Sequence, residues 1–137
     1  MMIRPVCRDV LLLGRKSASA TADDLPIAQD LVDTLQANAH ACVGMAANMI
    51  GELKRIIAIG AGPAVLVMLN PVIVKKSGAY EAEEGCLSLD GVRKTTRYKS
   101  IEVTYQDMKL RTRRARYTDY VAQIIQHEID HLEGILI

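Results

Sequence analysis

Residues 127–131 spell H-E-x-x-H, and this pattern constrains the fold more than any other feature of the chain. On a helix, residues four apart lie on one face, so His127 and His131 project two imidazoles in the same direction. Glu128 lies about 100° around the helix from His127, close enough to reach a water molecule held by the same metal ion. Two nitrogen ligands beside a carboxylate are the arrangement of a metal-dependent hydrolase.

The alternative is an ordinary surface helix whose histidines are solvated. Apolar side chains on several faces of the segment favour a buried helix instead. These side chains are Tyr120, Val121, Ile124, Ile125 and Leu132. We therefore expect the helix to lie inside the fold, capped at its start by Thr118 and ended at Gly134.

A catalytic site of this type needs a third protein ligand and an open coordination position. Residues 84–88 read Glu-Gly-Cys-Leu-Ser, and Cys86 offers a thiolate from a turn flanked by glycine. Cys86 is therefore the candidate third ligand. Cys7 and Cys42 are interpreted first as small buried hydrophobic residues.

These motifs together resemble the three signature motifs of the peptide deformylases. Residues 84–88 are similar to the second motif, and residues 126–134, Gln-His-Glu-Ile-Asp-His-Leu-Glu-Gly, to the third. Residues 44–51, Gly-Met-Ala-Ala-Asn-Met-Ile-Gly, resemble the first, and residues 68–73 resemble the Asn-Pro strand of that family. The order and spacing agree over residues 24–137. Three motifs in order are a specific signal, whereas H-E-x-x-H alone is weak.

The resemblance implies a hydrolase that removes the N-formyl group from the N-terminal methionine of newly made peptides. Cys86, His127 and His131 would hold one divalent metal ion, with Fe²⁺ expected in the cell and Zn²⁺, Ni²⁺ or Co²⁺ able to replace it on purification. Glu128 would take a proton from the attacking water and return it to the leaving amine. The backbone N–H of Leu87 would donate to the developing oxyanion.

The first motif departs from the family pattern at two positions. Met49 stands where the family has a glutamine that donates to the oxyanion, and a thioether cannot donate. Losing one such donor typically costs ~10²–10³ in rate. Asn48 is the nearest other candidate donor. Cys42 replaces a glycine and brings a second thiol near the expected site.

The resemblance also implies a pocket for the formylmethionine side chain. Its lining is expected from Val43, Gly44, Met49, Tyr120, Gln123 and Ile124. Tyr120 and Gln123 would make this pocket more polar, or differently shaped, than the apolar pocket of the family. These departures keep a second function open: a metal-binding paralogue with little or no catalysis that serves as a sensor or binding protein.

Glu84 and Arg97 are expected to support the site from behind the metal ligands. A bidentate ion pair between them would stiffen the turn that presents Cys86. The alternative is a solvent-exposed acidic run at Glu81, Glu83 and Glu84.

Composition excludes several classes of protein. With 137 residues, half of them hydrophobic, the chain should form a single domain over residues 1–137. A net charge of +1 gives no steering toward DNA or a membrane, and the apolar run 10–13 is too short for an export signal or a membrane span. Three cysteines without such a signal predict a cytoplasmic protein. The basic run 111–116 is interpreted first as a solvated strand, with a ribosomal RNA contact as the alternative.

The pattern of residues predicts an α+β fold. We expect a single domain with antiparallel β-sheets around a central H-E-x-x-H helix, and an N-terminal amphipathic helix over residues 24–40. Residues 1–22 are expected to be irregular. Ile- and Val-rich segments predict strands over four ranges, the last at a sheet edge: 55–60, 64–74, 100–106 and 108–117.

Overall fold

Five strands form one antiparallel sheet in the computed structural model, which describes residues 2–61, 64–86 and 88–137. Each strand pairs with the strand that follows it along the chain. The strands are β1 (Gly44–Ala46), β2 (Ile56–Ala61), β3 (Ala64–Cys86), β4 (Leu89–Gln106) and β5 (Thr112–Thr118). Together with the helices that pack on this sheet, they confirm the α+β fold with antiparallel pairing that the sequence predicts.

Three α-helices accompany the sheet: α1 (Val10–Leu13), α2 (Leu25–Ala37) and α3 (Asp119–Leu132). Helix α2 lies within the range predicted for the N-terminal helix. The expectation of irregular backbone before residue 22 is wrong at α1, where the Asp9 carboxylate accepts a hydrogen bond of 3.0 Å from the N–H of Leu11 and caps one helical turn. No helix in the described part of the chain is long and apolar enough to cross a membrane.

The hairpin of β3 and β4 is much longer than the sequence predicts. These strands have 23 and 18 residues, whereas apolar alternation marks only 64–74 and 100–106. The strands continue beyond those ranges because their backbones pair from Lys75↔Glu102 down to Cys86↔Leu89. Most side chains of that extension on β3 face solvent, so they leave no strand signal in the sequence. The extension places Cys86 at the hairpin tip.

Three further elements differ from the prediction in detail. Strand β5 lies at a sheet edge as expected but begins at Thr112, because the Asp107 carboxylate accepts from the N–H groups of Lys109 and Arg111 and forms a turn there. The sequence did not predict β1 or the 3₁₀ helix Ala47–Ile50 that follows it.

The core is divided between the two faces of the sheet. On one face, Leu31 and Leu35 of α2 belong to a buried cluster with alternate residues of β2 and β3. On the other face, Ile125 and Ile129 of α3 belong to a cluster with the intervening residues, including Met68. This alternation follows from the period-2 geometry of strands. It lets the motif helix α3 lie buried against the sheet rather than on the surface.

Two glycines with left-handed backbone provide a matched test of how α3 is anchored. Gly134 has φ 75°, and a Cβ there would lie 2.6 Å from the carbonyl oxygen of Gly14, whereas Gly51 has φ 84° and open space. We expect Gly51→Ala to lower the free energy of unfolding by about 1–2 kcal/mol through backbone strain alone. Gly134→Ala should lower the free energy of unfolding by about 1–3 kcal/mol more than Gly51→Ala does, because Gly14 must move. Urea denaturation measures both, and equal losses would contradict this packing.

Candidate active site

Helix α3 carries the H-E-x-x-H residues into the interior. Thr118 occupies the N-cap position with extended backbone, but its side chain makes no capping hydrogen bond, so its predicted side-chain cap is absent. The two histidines and Glu128 are all buried. Gln126 fixes the helix to β4, since its amide exchanges hydrogen bonds of 2.8 Å with both backbone groups of Tyr98.

Cys86, His127 and His131 converge on one point. Their ligand atoms all lie within 4.8 Å of one another. Nε2 of His131 is 3.0 Å from Nε2 of His127 and 3.4 Å from Sγ of Cys86. Ligand atoms around a tetrahedral ion with bonds of about 2.0–2.3 Å lie about 3.3–3.8 Å apart. The spacing and the N₂S donor set therefore fit one divalent metal ion.

The hairpin tip holds the thiol of Cys86 toward the two histidines. The N–H of Ser88 lies 3.4 Å from Sγ of Cys86, in position to donate to a thiolate. Leu87, whose backbone N–H the sequence suggests as an oxyanion donor, lies outside the described residues.

A buried network of charges lies behind His127. Arg97 donates to Glu84 through Nη2 at 2.7 Å and Nε at 2.9 Å, and its Nη1 donates to Asp130 at 2.6 Å. Nδ1 of His127 lies 2.8 Å from Oε1 of Glu84, and Gln123 donates to Oε2 at 2.9 Å. A carboxylate only accepts, so Nδ1 carries a hydrogen, and Nε2 is the ring nitrogen that can bind a metal once it is deprotonated.

The structure brings together the predicted pair Glu84 and Arg97, both nearly inaccessible to solvent. The alternative of an exposed acidic run holds for Glu81 and Glu83 but not for Glu84. Strand alternation explains the difference, because the side chains of β3 point to opposite faces in turn.

The pKa values in the metal-free chain follow from this burial and pairing. Burial alone would raise the pKa of Glu84, but hydrogen bonds from His127, Arg97 and Gln123 lower it to about 2. Burial alone would lower the pKa of His127, but hydrogen bonds with Cys86 and Glu84 raise it to about 10. Burial, together with the charge of His127, lowers the pKa of His131 to about 3. A metal ion held by Nε2 of both histidines would therefore displace a proton from His127.

Glu128 has the environment expected of a proton shuttle. Burial raises its pKa to about 7. Its Oε1 is buried and has no hydrogen-bond partner among the described residues, and the side chain lines the cavity beside the candidate ligands. A carboxylate with a pKa near neutrality can both accept and donate a proton.

A cavity of about 420 Å³ opens beside Cys86, His127 and Glu128. All six residues predicted for the substrate pocket line it: Val43, Gly44, Met49, Tyr120, Gln123 and Ile124. The lining also includes His40 and Cys42. Burial raises the pKa of the Cys42 thiol to about 11, so this thiol stays protonated near neutral pH.

Gly44 brings its strand into close contact with α3. A Cβ at this position would lie 2.7 Å from Cγ2 of Ile124 and 3.0 Å from Oε2 of Glu128. Any other residue would therefore crowd the carboxylate.

Met49 and Asn48 have different surroundings. Met49 lines the cavity, and its sulfur lies 3.4 Å from the N–H of Ala46. Asn48 is not among the lining residues, and its amide nitrogen donates at 2.9 Å to the backbone carbonyl of His131. Asn48 is therefore not placed to replace the missing oxyanion donor.

The supporting roles of Gln126 and Asp130 were not predicted from the sequence. Gln126 attaches the motif helix to β4, and Asp130 holds Arg97. A polar Gln126 inside an otherwise buried helical stretch was the available signal for the first contact. The partner of Asp130 comes from β4, and local sequence spacing does not reveal it.

Comparison with known proteins shows which family this chain is similar to. The sequence profile described as polypeptide deformylase matches residues 6–137. The peptide deformylase of Clostridium beijerinckii is 53% identical over 136 residues, covering 99% of this chain and 100% of that protein. The peptide deformylase of Thermoanaerobacter pseudethanolicus is 40% identical over 113 residues, covering 82% of this chain and 70% of that protein.

Solved structures agree with the sequence comparisons. The crystal structure of peptide deformylase from Thermus thermophilus is similar with a TM-score of 0.87 and 35% identity, covering 98% of this chain and 83% of that one. A Met-Ala-Ser-bound class I type b peptide deformylase from Acinetobacter baumannii gives a TM-score of 0.88 and 28% identity, covering 99% and 97% of the two chains.

Glu84→Gln tests the buried network through its pH dependence. The folded carboxyl has a pKa of about 2, against an ordinary value of 4.5. Because the pKa is lower in the folded state, the stabilisation is fully present above the ordinary value and is lost as the pH falls toward 2. We expect metal-free wild type to exceed Glu84→Gln in unfolding free energy near neutral pH, with the difference shrinking below the ordinary pKa. Urea denaturation across this pH range measures the difference in unfolding free energy. A difference that does not change with pH would contradict the hydrogen bonds proposed to stabilise the ionised Glu84.

Proposed function

The chain belongs to the polypeptide deformylase family, and we propose that it is a metal-dependent hydrolase that removes the N-formyl group from the N-terminal methionine of newly made peptides. The observation that carries this proposal is the buried Glu128 carboxylate, which lines the same cavity as Cys86 and His127. A sensor or binding protein has no use for a base with a pKa near 7 in that position. The alternative of an inactive paralogue is therefore not favoured.

Cys86, His127 and His131 are the proposed ligands of one divalent metal ion. When bound, the ion activates a water molecule for attack on the formyl carbon by lowering the pKa of that water to about 7. Glu128 accepts the proton from this water and donates it to the leaving amine. The products are formate and a peptide with a free amino terminus.

The surrounding residues orient these groups. Glu84 accepts from Nδ1 of His127 and so turns Nε2 toward Cys86, while Arg97 holds Glu84 in place. The proposed oxyanion donor is the backbone N–H of Leu87, next to the ligand Cys86 in sequence.

The cavity is the proposed pocket for the substrate side chain next to the formyl group. Val43 and Ile124 contribute apolar surface, and Gly44 leaves room beside Glu128. The amide of Gln123 adds a polar wall that is held by Glu84.

We also propose the identity of the metal ion, the location of the reaction and the place where the enzyme meets its substrate. We propose Fe²⁺ as the ion in the cell, with Zn²⁺, Ni²⁺ or Co²⁺ able to occupy the site after purification, because affinity alone does not select iron. We place the reaction in the cytoplasm, where newly made peptides emerge, with residues 1–137 acting as one domain.

The ribosome is the proposed meeting place of the enzyme and its substrate. The main support for this proposal is that a nascent chain is available only at the ribosome. The basic strand β5 supports it less. Arg113 and Arg114 on that strand pair with Asp107 at 3.0 Å and Glu102 at 2.7 Å. These pairs support the interpretation of β5 as a solvated strand.

Turnover of a formyl-Met-Ala peptide by anaerobically purified, iron-loaded protein tests the proposed activity. We expect formate release by wild type and loss of most of it in Glu128→Gln, which keeps the shape but cannot accept the proton. Metal content, measured by elemental analysis, should persist in Glu128→Gln and disappear in His131→Ala. If Glu128→Gln released formate as fast as wild type, the hydrolase mechanism would be wrong.

Met49→Gln tests whether the missing side-chain donor slows the reaction. A glutamine oxygen can accept the Ala46 N–H that now lies 3.4 Å from the Met49 sulfur, leaving its NH₂ group to face the cavity. The added hydrogen bond strengthens as charge develops on the substrate oxygen, so it should raise kcat more than it lowers KM.

A gain of about tenfold or more in kcat is the expected order, since one such donor is typically worth ~10²–10³. Steady-state kinetics on the same formyl peptide measure it. Met49→Leu is the matched control, because it keeps an apolar side chain without a donor and should give no gain. Equal rates for Gln and Leu variants would show that position 49 does not face the oxyanion.

A further inference from the structure

We propose that Asn48 is a positioning residue for the metal ligand His131. Its amide oxygen accepts, through one buried water molecule, a hydrogen bond from Nδ1–H of His131, which directs Nε2 of that ring toward the metal. This inference rests on the proposed metal site. Its first support is the contact between the two residues, in which the Asn48 amide nitrogen donates to the His131 carbonyl at 2.9 Å across 83 positions of sequence.

Two unpaired polar atoms lie in this one pair of residues. Oδ1 of Asn48 and Nδ1 of His131 are both buried, and neither has a hydrogen-bond partner among the described residues. Both residues are 0% exposed. Burying a polar atom without a partner is costly, and native proteins commonly satisfy such atoms with an internal water. One atom is an acceptor and the other carries the donor hydrogen when Nε2 binds a metal, so their hydrogen-bonding needs are complementary.

The two histidine ligands differ in how their second nitrogen is held. Nδ1 of His127 lies 2.8 Å from the Glu84 carboxylate. Nδ1 of His131 has no such charged partner among the described residues. A metal-bound histidine almost always donates its other N–H to an acceptor, and losing that acceptor typically lowers metal affinity about 10–100-fold. Asn48 is the residue already anchored beside His131 to fill this role.

A simpler account gives Asn48 only a role at the helix end. The carbonyl of His131 lies in the last turn of α3, where it accepts from the N–H of Gly134 at 3.1 Å, and the Asn48 amide donates a second hydrogen bond to it. In that case the NH₂ group of Asn48 would be needed for stability, and its amide oxygen would have no role. Substitutions that separate the two groups distinguish these accounts.

Asn48→Leu removes both the NH₂ donor and the oxygen acceptor and keeps a similar side-chain volume. Asn48→Asp keeps an acceptor but loses the donor. Zinc affinity by competition with a chromophoric chelator, and urea denaturation of metal-free protein, are the two measurements. We expect Asn48→Leu to bind zinc about 10–100-fold more weakly than wild type. We expect Asn48→Asp to lose stability but to bind zinc within threefold of wild type or more tightly. Ile50→Ala is the matched control on the same 3₁₀ helix, and it should lower stability without changing zinc affinity.

Zinc affinity of Asn48→Leu within threefold of wild type would overturn the proposal, as would equal loss of zinc affinity in the Leu and Asp variants. Wild type alone provides a second test if the variants do not fold. Its three histidines make ¹⁵N-histidine spectra of the zinc-loaded protein readily assignable. The Nδ1–H of His131 should be visible and exchange slowly with solvent, and rapid exchange would overturn the proposal.

These measurements are independent of turnover. If zinc binding behaves as expected but formyl peptides are not hydrolysed, the proposed activity fails and the role of Asn48 stands. If formyl peptides are hydrolysed but zinc affinity does not depend on Asn48, only this inference fails.

Discussion

The buried ion pair of Glu84 and Arg97 is the interaction on which the rest of the site depends. Taking two charges out of water is costly, and removing one partner leaves the other uncompensated. Here Glu84 also faces His127 and accepts from Gln123, while Arg97 also donates to Asp130. The pair joins strand β3 to β4, and its further partners join both strands to helix α3. The hairpin that carries the thiol and the helix that carries the imidazoles are therefore held in one arrangement.

The parts of the site that depend on local spacing could be predicted from the sequence. His127 and His131 are four residues apart, and helical geometry alone places them together. Identifying Cys86 required the motif around it, because a lone cysteine is more often a buried hydrophobic residue. The contact of Asp130 with Arg97 could not be predicted, since it depends on how α3 lies against β4. The outer half of the β3–β4 hairpin was missed for a related reason: its backbone pairing leaves no apolar alternation.

Met49 shows how a change in chemistry can leave a fold intact. The residue is 1% exposed, and its sulfur lies against the N–H of Ala46, so the 3₁₀ helix keeps its packing without a glutamine. The backbone at Gly44 is independently constrained by its contacts with Ile124 and Glu128. The fold therefore tolerates methionine at position 49, while the proposed hydrogen bond from this position to the reacting oxygen requires a donor. Similarity to other deformylases does not report on that hydrogen bond.

The two histidines are prepared for a metal in different ways. Hydrogen bonds with Cys86 and Glu84 outweigh burial and raise the pKa of His127 to about 10 in the metal-free chain, whereas burial and the His127 charge lower the pKa of His131 to about 3. Near neutral pH, one imidazole proton must therefore leave before both Nε2 atoms can bind an ion. In the metal-free chain, the charges of His127 and Arg97 together offset those of Glu84 and Asp130. A divalent ion held by the two Nε2 atoms would supply positive charge in place of that proton, so the buried carboxylate would stay compensated in both states.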